Sequence, residues 1–170
     1  INYEYGYASG IVGDSNNTKF NGVINKAKVF GALNANGLVN TLSGTGTIIN
    51  SYNIGAITSG VNANGLVNTI INNTTSITVT YSYNSGTLTG TDNYGLVNRV
   101  INNSGYIGIG RCFNATLDYA VNEVNNSSLL INTVGVLANG VKNGLIEGSF
   151  DIVSDFNYYS KLNGFNEFVD

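Results

Sequence analysis

The four-residue sequence Gly-Leu-Val-Asn recurs along the chain and constrains its fold more than any other feature. It begins at Gly37, Gly65 and Gly95, with spacings of 28 and 30 residues. A variant copy, Gly-Ile-Val-Gly, begins at Gly10, 27 residues before the first. In repeat architectures each copy buries its apolar face only by stacking on its neighbours. The repeat therefore predicts a pile of similar coils.

A second landmark, an apolar residue followed by asparagine, precedes each copy by 11 or 12 residues. It occurs at Ile24-Asn25, Tyr52-Asn53, Tyr83-Asn84 and Phe113-Asn114. The last of these has a degenerate downstream partner, which we predict at Leu130-Ile131-Asn132. Between landmarks, short runs of β-branched residues are bounded by Gly and Asn, which indicates strands and turns. We predict an all-β parallel β-helix, or β-solenoid, of about five coils with 28–31 residues each, right-handed because parallel crossover connections usually are.

Equivalent strands in such a stack pair in parallel about 4.8 Å apart, so like side chains form columns. We expect an inward leucine column, a neighbouring valine column that faces the other way if the strand is regular, and a second buried column. These are Leu38, Leu66 and Leu96; Val39, Val67 and Val97; and Val29, Ile57 and Leu88.

Asparagines also share repeat positions, and stacked amides can pass hydrogen bonds from coil to coil. The predicted ladders are Asn25, Asn53, Asn84 and Asn114, and separately Asn40, Asn68 and Asn98. Gly55 and Gly86 follow ladder positions and are predicted to form turns with positive φ. The glycines that begin each Gly-Leu-Val-Asn copy are predicted to allow close packing or a bend.

Charged residues make up only 10% of the chain, and 30 asparagines supply polarity instead. The net charge is −3 and the seven Lys and Arg residues are scattered, which argues against binding to nucleic acid or to an anionic membrane surface. No apolar run reaches the roughly 18 residues needed to cross a bilayer, so we expect no direct membrane insertion. The absence of a starting Met suggests a domain of a larger, processed protein.

The chain has no histidine and one cysteine, Cys112. An internal disulfide, an ordinary zinc site and a Ser-His or Cys-His catalytic arrangement are therefore excluded within this sequence. We predict no catalytic residue, no cofactor and no metal site.

The stretch from Gly46 to Asn68, and a shorter one from Ser82 to Asn98, resembles the GLUG-motif repeats. In that family an Asn-Cys-Tyr-like segment is followed by a glycine-containing turn and then by a Gly-Leu-Val-Gly-like segment. Here asparagine stands where the last glycine is commoner, except in the copy at Gly10. The resemblance covers about residues 1–132.

This resemblance implies a parallel β-helix-like arrangement and a bacterial or protist cell-surface context, such as adhesins or accessory regions of immunoglobulin-A1-specific metalloproteases. GLUG repeats have no catalytic residues of their own to transfer. The alignment places Cys112 in the column of Ser51 and Ser82, where the family often has cysteine. Cys112 is then expected to be a small inward residue, inert because it is buried.

The two ends of a solenoid need covering because their strand edges are unpaired. We predict a repeat solenoid over residues 1–149 and a capping segment of the same domain over 150–170, which is rich in aromatics. Tyr158 and Tyr159 are predicted either to cap the last coil or to contact a glycan or protein partner, since tyrosines stack on sugar rings. For Tyr52 and Tyr83, which share a column, packing is the favoured interpretation.

Carboxylates provide the remaining candidates for chemistry. The close pairs are Asp118 with Glu123 and Asp151 with Asp155, and neither pair repeats in the coil register. A glycosidase needs two carboxyls roughly 5 to 9.5 Å apart. Asp14 and Asp92 are predicted to lie in Asn- and Gly-rich turns, where their oxygens make them weak calcium candidates.

Three functions compete at this point. The first is a non-catalytic, extracellular cell-surface domain that acts as an adhesin segment or rigid spacer and binds a host protein or glycan. The second is a polysaccharide-active β-helix enzyme, a lyase or glycosidase. The third is an ice-binding solenoid, for which the threonine column Thr58 and Thr89 is short.

Overall fold

The computed structural model describes residues 2–3, 6–71, 75–101, 107–110, 112–114, 119–125, 129–132 and 141–144. Within these ranges all regular structure is β-strand, with 22 strands and no helix. Consequently, these ranges contain no helix that is long and apolar enough to cross a membrane. Every strand pair is parallel, which confirms the predicted β-solenoid.

The strands follow the sequence repeat, and their bounds are these. Coil 1 contains β1 (Asn2–Tyr3), β2 (Tyr7–Ser9), β3 (Val12–Asn16), β4 (Lys19–Asn21) and β5 (Ile24–Asn25). Coil 2 contains β6 (Val29–Gly31), β7 (Asn34–Asn36), β8 (Val39–Ser43), β9 (Thr47–Ile49) and β10 (Tyr52–Asn53). Coil 3 contains β11 (Ile57–Ser59), β12 (Asn62–Asn64), β13 (Val67–Ile71), β14 (Ile77–Thr80) and β15 (Tyr83–Asn84). Coil 4 contains β16 (Leu88–Thr89), β17 (Asp92–Ile101), β18 (Ile107–Gly110) and β19 (Phe113–Asn114). Three further strands are β20 (Tyr119–Asn125), β21 (Leu129–Asn132) and β22 (Val141–Gly144).

Equivalent strands of successive coils form four sheets, here called A to D in their order along a coil. Sheet A contains β1, β6, β11 and β16; sheet C contains β4, β9, β14, β18 and β21; sheet D contains β5, β10, β15 and β19. Sheet B has a first arm, built on β2, β7 and β12, and a second arm, built on β3, β8 and β13. The long strand β17 pairs with both arms, and β20 and β22 continue the sheet. Four coils thus have strands in all four sheets, and the last three strands extend sheets B and C.

The predicted leucine column is confirmed. Leu38, Leu66 and Leu96 are at most 1% exposed. The N–H of Leu38 donates to the carbonyl of Leu66 at 3.0 Å, and that of Leu66 donates to Leu96 at 3.2 Å. The second predicted column, Val29, Ile57 and Leu88, is also buried and in register.

The prediction that the valine column faces away from the leucines is wrong, because Val39, Val67 and Val97 are completely buried in the same core. The N–H groups of Leu38 and Val39 both donate to the carbonyl of Leu66, at 3.0 Å each. Two successive donors on one acceptor interrupt the pleat as a β-bulge does, so two successive side chains enter the core. The strand is irregular at this point, and alternation does not hold across it.

Each coil is narrow where sheet D meets the bend between the two arms of sheet B. A Cβ added at Gly37 would lie 1.9 Å from the carbonyl oxygen of Gly65 and 2.6 Å from Asn53 Cγ. Close packing is therefore the reason for this glycine, as predicted. A main apolar core lies between the second arm and sheet C, and a minor core lies between sheet A and the first arm.

The prediction of positive φ at Gly55 and Gly86 is wrong, since the positive-φ glycines of the described chain are Gly6, Gly22 and Gly44. A Cβ at Gly55 would lie 2.1 Å from the carbonyl oxygen of Ala27, and one at Gly86 would lie 2.1 Å from that of Gly55. These two glycines are required by contact with the preceding coil and not by a turn conformation.

The first predicted asparagine ladder is confirmed, and it occupies sheet D. Asn25 Nδ2 donates to Asn53 Oδ1 at 2.7 Å, Asn53 Nδ2 to Asn84 Oδ1 at 2.8 Å, and Asn84 Nδ2 to Asn114 Oδ1 at 3.4 Å. All four side chains are buried, with at most 3% exposure. In the adjacent column the rings of Tyr52 and Tyr83 are buried and stack with centroids 4.6 Å apart, as the packing interpretation predicts.

The predicted fifth copy at Leu130-Ile131-Asn132 is wrong. These residues pair with residues 108–110 in sheet C, whereas Val121 pairs with Val97 and Asn122 Nδ2 donates to Asn98 Oδ1 at 2.8 Å. The fifth copy is therefore Val121-Asn122, only 24 residues after its equivalent in coil 4.

Asn93 occupies a position that is alanine in the other coils. Ala8, Ala35 and Ala63 stack in the minor core, and Asn93 follows Ala63 in register. Its Oδ1 is buried without a hydrogen-bond partner among the described residues.

We expect Asn93→Ala to raise the free energy of unfolding by about 1 kcal/mol, because an unsatisfied buried oxygen costs about 1–3 kcal/mol and the smaller side chain matches the column. Urea denaturation measures the change. Asn62→Ala is the control on the outer side of the first arm, next to the register partner of Asn93; it removes a 2.7 Å hydrogen bond to Asn34 and should lower stability. If Asn93→Ala is less stable than the parent chain, the oxygen has a partner that the fold does not reveal.

Candidate functional site: an amide-lined groove

The bend in sheet B creates a groove on the outer surface of the solenoid, with a volume of about 440 Å³. Side chains that point outward from the first arm form one wall, and those from the second arm form the other. Because the same positions recur in successive coils, the groove runs along the solenoid axis with a repeat of about 4.8 Å.

The first wall consists of Tyr7, Asn34 and Asn62, which stack in register from coil 1 to coil 3. Asn62 Nδ2 donates to Asn34 Oδ1 at 2.7 Å. Tyr7 is 53% exposed, so its ring is open to solvent at the coil 1 end of the groove.

The second wall contains the other predicted asparagine ladder. Each Nδ2 donates to the Oδ1 of the preceding coil: Asn122 to Asn98 at 2.8 Å, Asn98 to Asn68 at 2.9 Å, and Asn68 to Asn40 at 3.0 Å. Asn40 Nδ2 in turn donates to the carboxylate of Asp14 at 3.0 Å. The predicted ladder is thus confirmed, and it is longer by Asn122 and ends on an anion.

A column of mixed chemistry lies beside this ladder. Asp14, Thr41, Thr69 and Arg99 stack in register from coil 1 to coil 4. The two threonines are half-buried, whereas Asp14 and Arg99 are exposed at opposite ends. The groove between the two charged residues is therefore lined by amides and hydroxyls, together with the apolar side chains of Ile71 and Ile101.

A third amide pair lies at the corner between the walls. Asn64 Nδ2 donates to Asn36 Oδ1 at 2.8 Å, and Asn36 Nδ2 is 3.4 Å from Asn40 Oδ1. Tyr94 follows Asn64 in register. A phenol has no amide N–H to continue the ladder, and Asn64 Oδ1 is buried without a partner among the described residues.

The groove offers unused hydrogen-bonding capacity at a regular spacing. A side-chain amide has two N–H donors and two acceptor lone pairs, and a ladder uses one of each per asparagine. Asn68 and Asn98 keep one N–H and one lone pair each, at 7% and 3% exposure, whereas Asn40 also donates to Thr41 Oγ1 at 3.3 Å and accepts from Asn36. Among the described lining residues Asp14 is the one carboxylate, so the groove as described lacks the pair of carboxyls that glycoside hydrolysis needs.

The predicted site residues have different outcomes. Tyr158, Tyr159, Asp151, Asp155 and Asp118 lie outside the described residues, as does the predicted cap over 150–170. The backbone of Glu123 lies in β20, paired with Arg99.

The two calcium candidates, Asp14 and Asp92, lie in coils 1 and 4 and are both in strands and not in turns. Three coil steps, about 14 Å, separate them, so they cannot share an ion. No group of three or more His, Cys, Asp or Glu side chains in the described ranges is placed to hold a metal ion.

The first wall of the groove was missed in the sequence. Its signal was present, because the seven residues Asn-Ala-Asn-Gly-Leu-Val-Asn are identical at 34–40 and 62–68. The strand Asn-Ala-Asn contains one inward alanine and two outward amides, which a search for apolar columns overlooks.

Cys112 is completely buried in the column of Ser51 and Ser82, as expected. Its thiol donates to the carbonyl oxygen of Val79 at 3.3 Å and lies 3.4 Å from that of Gly110. Burial raises the pKa of this thiol from 9.0 to about 12.

This pKa predicts a pH dependence of stability. Between about pH 9 and pH 12 the unfolded chain loses the thiol proton while the folded chain keeps it, so the residue's contribution to the free energy of unfolding falls as pH rises. From pH 8 to pH 10.5 the parent chain should lose about 2 kcal/mol more than Cys112→Ser, a replacement that matches Ser51 and Ser82 in the same column. Urea denaturation at both pH values measures the difference. Equal losses in the two proteins would contradict the burial of the thiol.

Comparisons with protein-family models, with curated proteins and with solved structures found no match to this chain.

Proposed function

We propose that this chain is a non-catalytic repeat domain of a larger extracellular surface protein, and that it acts as an adhesin segment by binding a host glycan or protein in the groove of sheet B. The observation that supports this most directly is the presence of facing amide walls along the axis. Such walls offer many weak, regularly spaced hydrogen bonds, which suit an extended ligand. The cell-surface context rests on the resemblance to GLUG repeats.

The same stacked coils favour a stiff domain, which would hold the groove at a distance from the cell surface to which the whole protein is attached. Continuous ladders and parallel sheets join each coil to the next, so bending the stack would break many hydrogen bonds at once. Spacer and adhesin roles are therefore compatible in one domain.

Among the alternatives, binding is better supported than polysaccharide cleavage. Cleavage requires two carboxyls within about 10 Å of each other, whereas Asp14 lines the groove without a second carboxylate from the described residues. An ice-binding face requires a long, flat threonine array. In sheet A the column of Thr58 and Thr89 continues into Phe30, which interrupts it.

The test is binding to panels of glycans and extracellular-matrix proteins, with a variant that fills the groove. Thr69→Lys places a long side chain between the walls, and Thr58→Lys makes the same change on the outer face of sheet A. We expect at least a tenfold weaker Kd for Thr69→Lys and no change for Thr58→Lys, with both variants retaining the parent melting temperature.

A ligand at a concentration 100 times its Kd should also raise the stability of the parent chain by about 2.7 kcal/mol. Equal binding by both lysine variants would place the ligand elsewhere on the molecule. If neither panel contains a ligand that binds, the adhesin role is contradicted and the spacer role alone is left.

A further inference from the structure

We infer that the ligand of the groove is an uncharged linear polysaccharide that lies along the solenoid axis with one sugar ring for each coil and a ring stacked on Tyr7. This inference rests on the proposed function and names its ligand class. It depends on four properties of the groove: its repeat, its charge, its hydrogen-bonding groups and its exposed aromatic ring.

The repeat of the groove favours a glycan over a peptide. Equivalent side chains recur about every 4.8 Å along the axis, and this spacing is close to the advance of one pyranose ring in an extended glycan. An extended peptide advances about 3.4 Å per residue, and its side chains on one face recur about every 6.8 Å. A peptide would therefore lose register with Asn34 and Asn62 within two coils, whereas a glycan would stay in register.

The charge of the groove favours an uncharged glycan over an acidic one. Between Asp14 and Arg99 the second wall is uncharged: beside the asparagine ladder it presents Thr41 and Thr69 and, further along the strands, Ile71 and Ile101. An acidic polysaccharide would bring a carboxylate to every coil or every second coil, against a single cation at one end and an anion at the other. Moving such carboxylates out of water without paired cations is unfavourable.

The hydrogen-bonding groups match sugar hydroxyls. Each hydroxyl is both a donor and an acceptor, and Asn68 and Asn98 each have one N–H and one lone pair outside the ladder. In the second wall the amides of Asn40, Asn68 and Asn98 all point the same way, with Nδ2 toward coil 1. Coils 3 and 4 therefore present their remaining donor and acceptor in the same order.

Tyr7 provides the apolar contact that sugar binding needs. It is the most exposed of the large apolar side chains described, and it stands at the coil 1 end of the first wall in the column of Asn34. The C–H face of a sugar ring packs on an aromatic face, and the phenol hydroxyl bonds a sugar hydroxyl. The ring lies across the groove from Asp14, a carboxylate that accepts hydrogen bonds from hydroxyls.

Calorimetry with defined probes tests the inference. The probes are uncharged cello-, xylo- and manno-oligosaccharides of two to six units, with oligogalacturonate and a threonine-rich peptide as the acidic and peptide alternatives. For at least one uncharged series we expect affinity to rise at least threefold per added ring up to about four rings and then level off. Its Kd should change less than twofold between 50 and 500 mM NaCl.

Two variants assign the contacts. Tyr7→Ala should weaken binding of the uncharged series at least tenfold, whereas Tyr7→Phe, which retains the ring face, should weaken it less than threefold. Thr69→Val removes one hydroxyl with little change in shape and should weaken binding several-fold.

The outcomes separate this inference from the proposed function. If oligogalacturonate or the peptide binds, and Thr69→Lys blocks that binding, the groove is a ligand site but its ligand class is not the one inferred. If the uncharged series binds without dependence on length or on Tyr7, the axial placement is overturned. If Thr69→Lys leaves binding of every probe unchanged, the proposed function fails as well.

Discussion

Gly65→Ala is expected to abolish folding of the solenoid. A Cβ at this position would lie 1.9 Å from the carbonyl oxygen of Gly95 and 2.5 Å from Asn84 Cγ. The first clash is with the backbone of the next coil, and the second is with the buried sheet D ladder, so neither neighbour can yield without separating two coils. Overpacking of this kind, together with broken hydrogen bonds, should cost more than about 4 kcal/mol.

The same substitution at Gly13 is the control. No atom lies within 4 Å of a Cβ added there, and the residue is exposed. Gly13→Ala should leave stability within about 0.5 kcal/mol of the parent chain or raise it slightly, because alanine restricts the unfolded chain more than glycine does. Circular dichroism and urea denaturation of both variants measure this contrast. A cooperatively folded Gly65→Ala protein with parent-like stability would contradict the close contact between coils.

The periodic part of the fold was predictable because the repeat places apolar residues and asparagines at positions where they are stable only when successive coils stack. A single leucine exposed on one coil, or a single buried asparagine without a partner, is unfavourable, and each becomes stable when it packs on or bonds to its equivalent in the next coil. The contacts of Leu38 with Leu66, and of Asn53 with Asn84, therefore follow from their equivalent positions in the repeat. Spacing alone was enough for this step.

The local backbone was less predictable, because it depends on hydrogen bonds that residue types do not encode. The N–H groups of Leu38 and Val39 share the carbonyl of Leu66, and this irregularity places Val39 in the core, where regular alternation would have pointed it to solvent. Gly55 was interpreted through its conformational freedom, whereas its role is to leave space for the carbonyl of Ala27. Both errors arose from treating a coil as a series of regular strands and turns.

The groove could not be predicted from the repeat, since concavity depends on the angle between two arms of one sheet. The asparagines of the second wall were identified as a ladder, but a ladder in a flat sheet would be scaffold only. The bend at Gly37 brings Asn36 near Asn40, and this makes the outer amides face one another across a groove. The groove thus arises at the same glycine that permits close packing inside.

The two long ladders differ in direction and in the hydrogen bonds that their amides make within the fold. In sheet D each amide donates toward the following coil, and each Nδ2 also bonds a nearby backbone carbonyl, as Asn53 does with Gly55 at 3.0 Å. In the groove each amide donates toward the preceding coil, and the series ends at Asp14. The inner ladder amides therefore use both N–H groups within the fold, whereas Asn68 and Asn98 of the outer ladder use one each.

Asn53→Ala should therefore be among the most destabilising substitutions of a polar residue in this chain. Asn53 accepts a hydrogen bond from Asn25 at 2.7 Å and donates to Asn84 at 2.8 Å, in a fully buried environment. Its removal leaves a cavity beside Gly37 and deprives both ladder neighbours of a partner. With about 1–3 kcal/mol for each unsatisfied buried group, we expect a loss of roughly 4 kcal/mol in the free energy of unfolding.

A matched change at the surface isolates the effect of burial. Asn21 accepts a hydrogen bond from Asn50 at 3.3 Å in an exposed rung, so Asn21→Ala should change stability by less than about 0.5 kcal/mol. Asn53→Asp gives a further test, because the carboxylate retains the acceptor but loses the donor and introduces a buried charge. Burial raises the pKa of that carboxyl, so the variant should regain stability as pH falls from 7 toward 4 while Asn53→Ala does not. If Asn53→Ala and Asn21→Ala prove equally mild, the amide ladder inside the solenoid is not what joins one coil to the next.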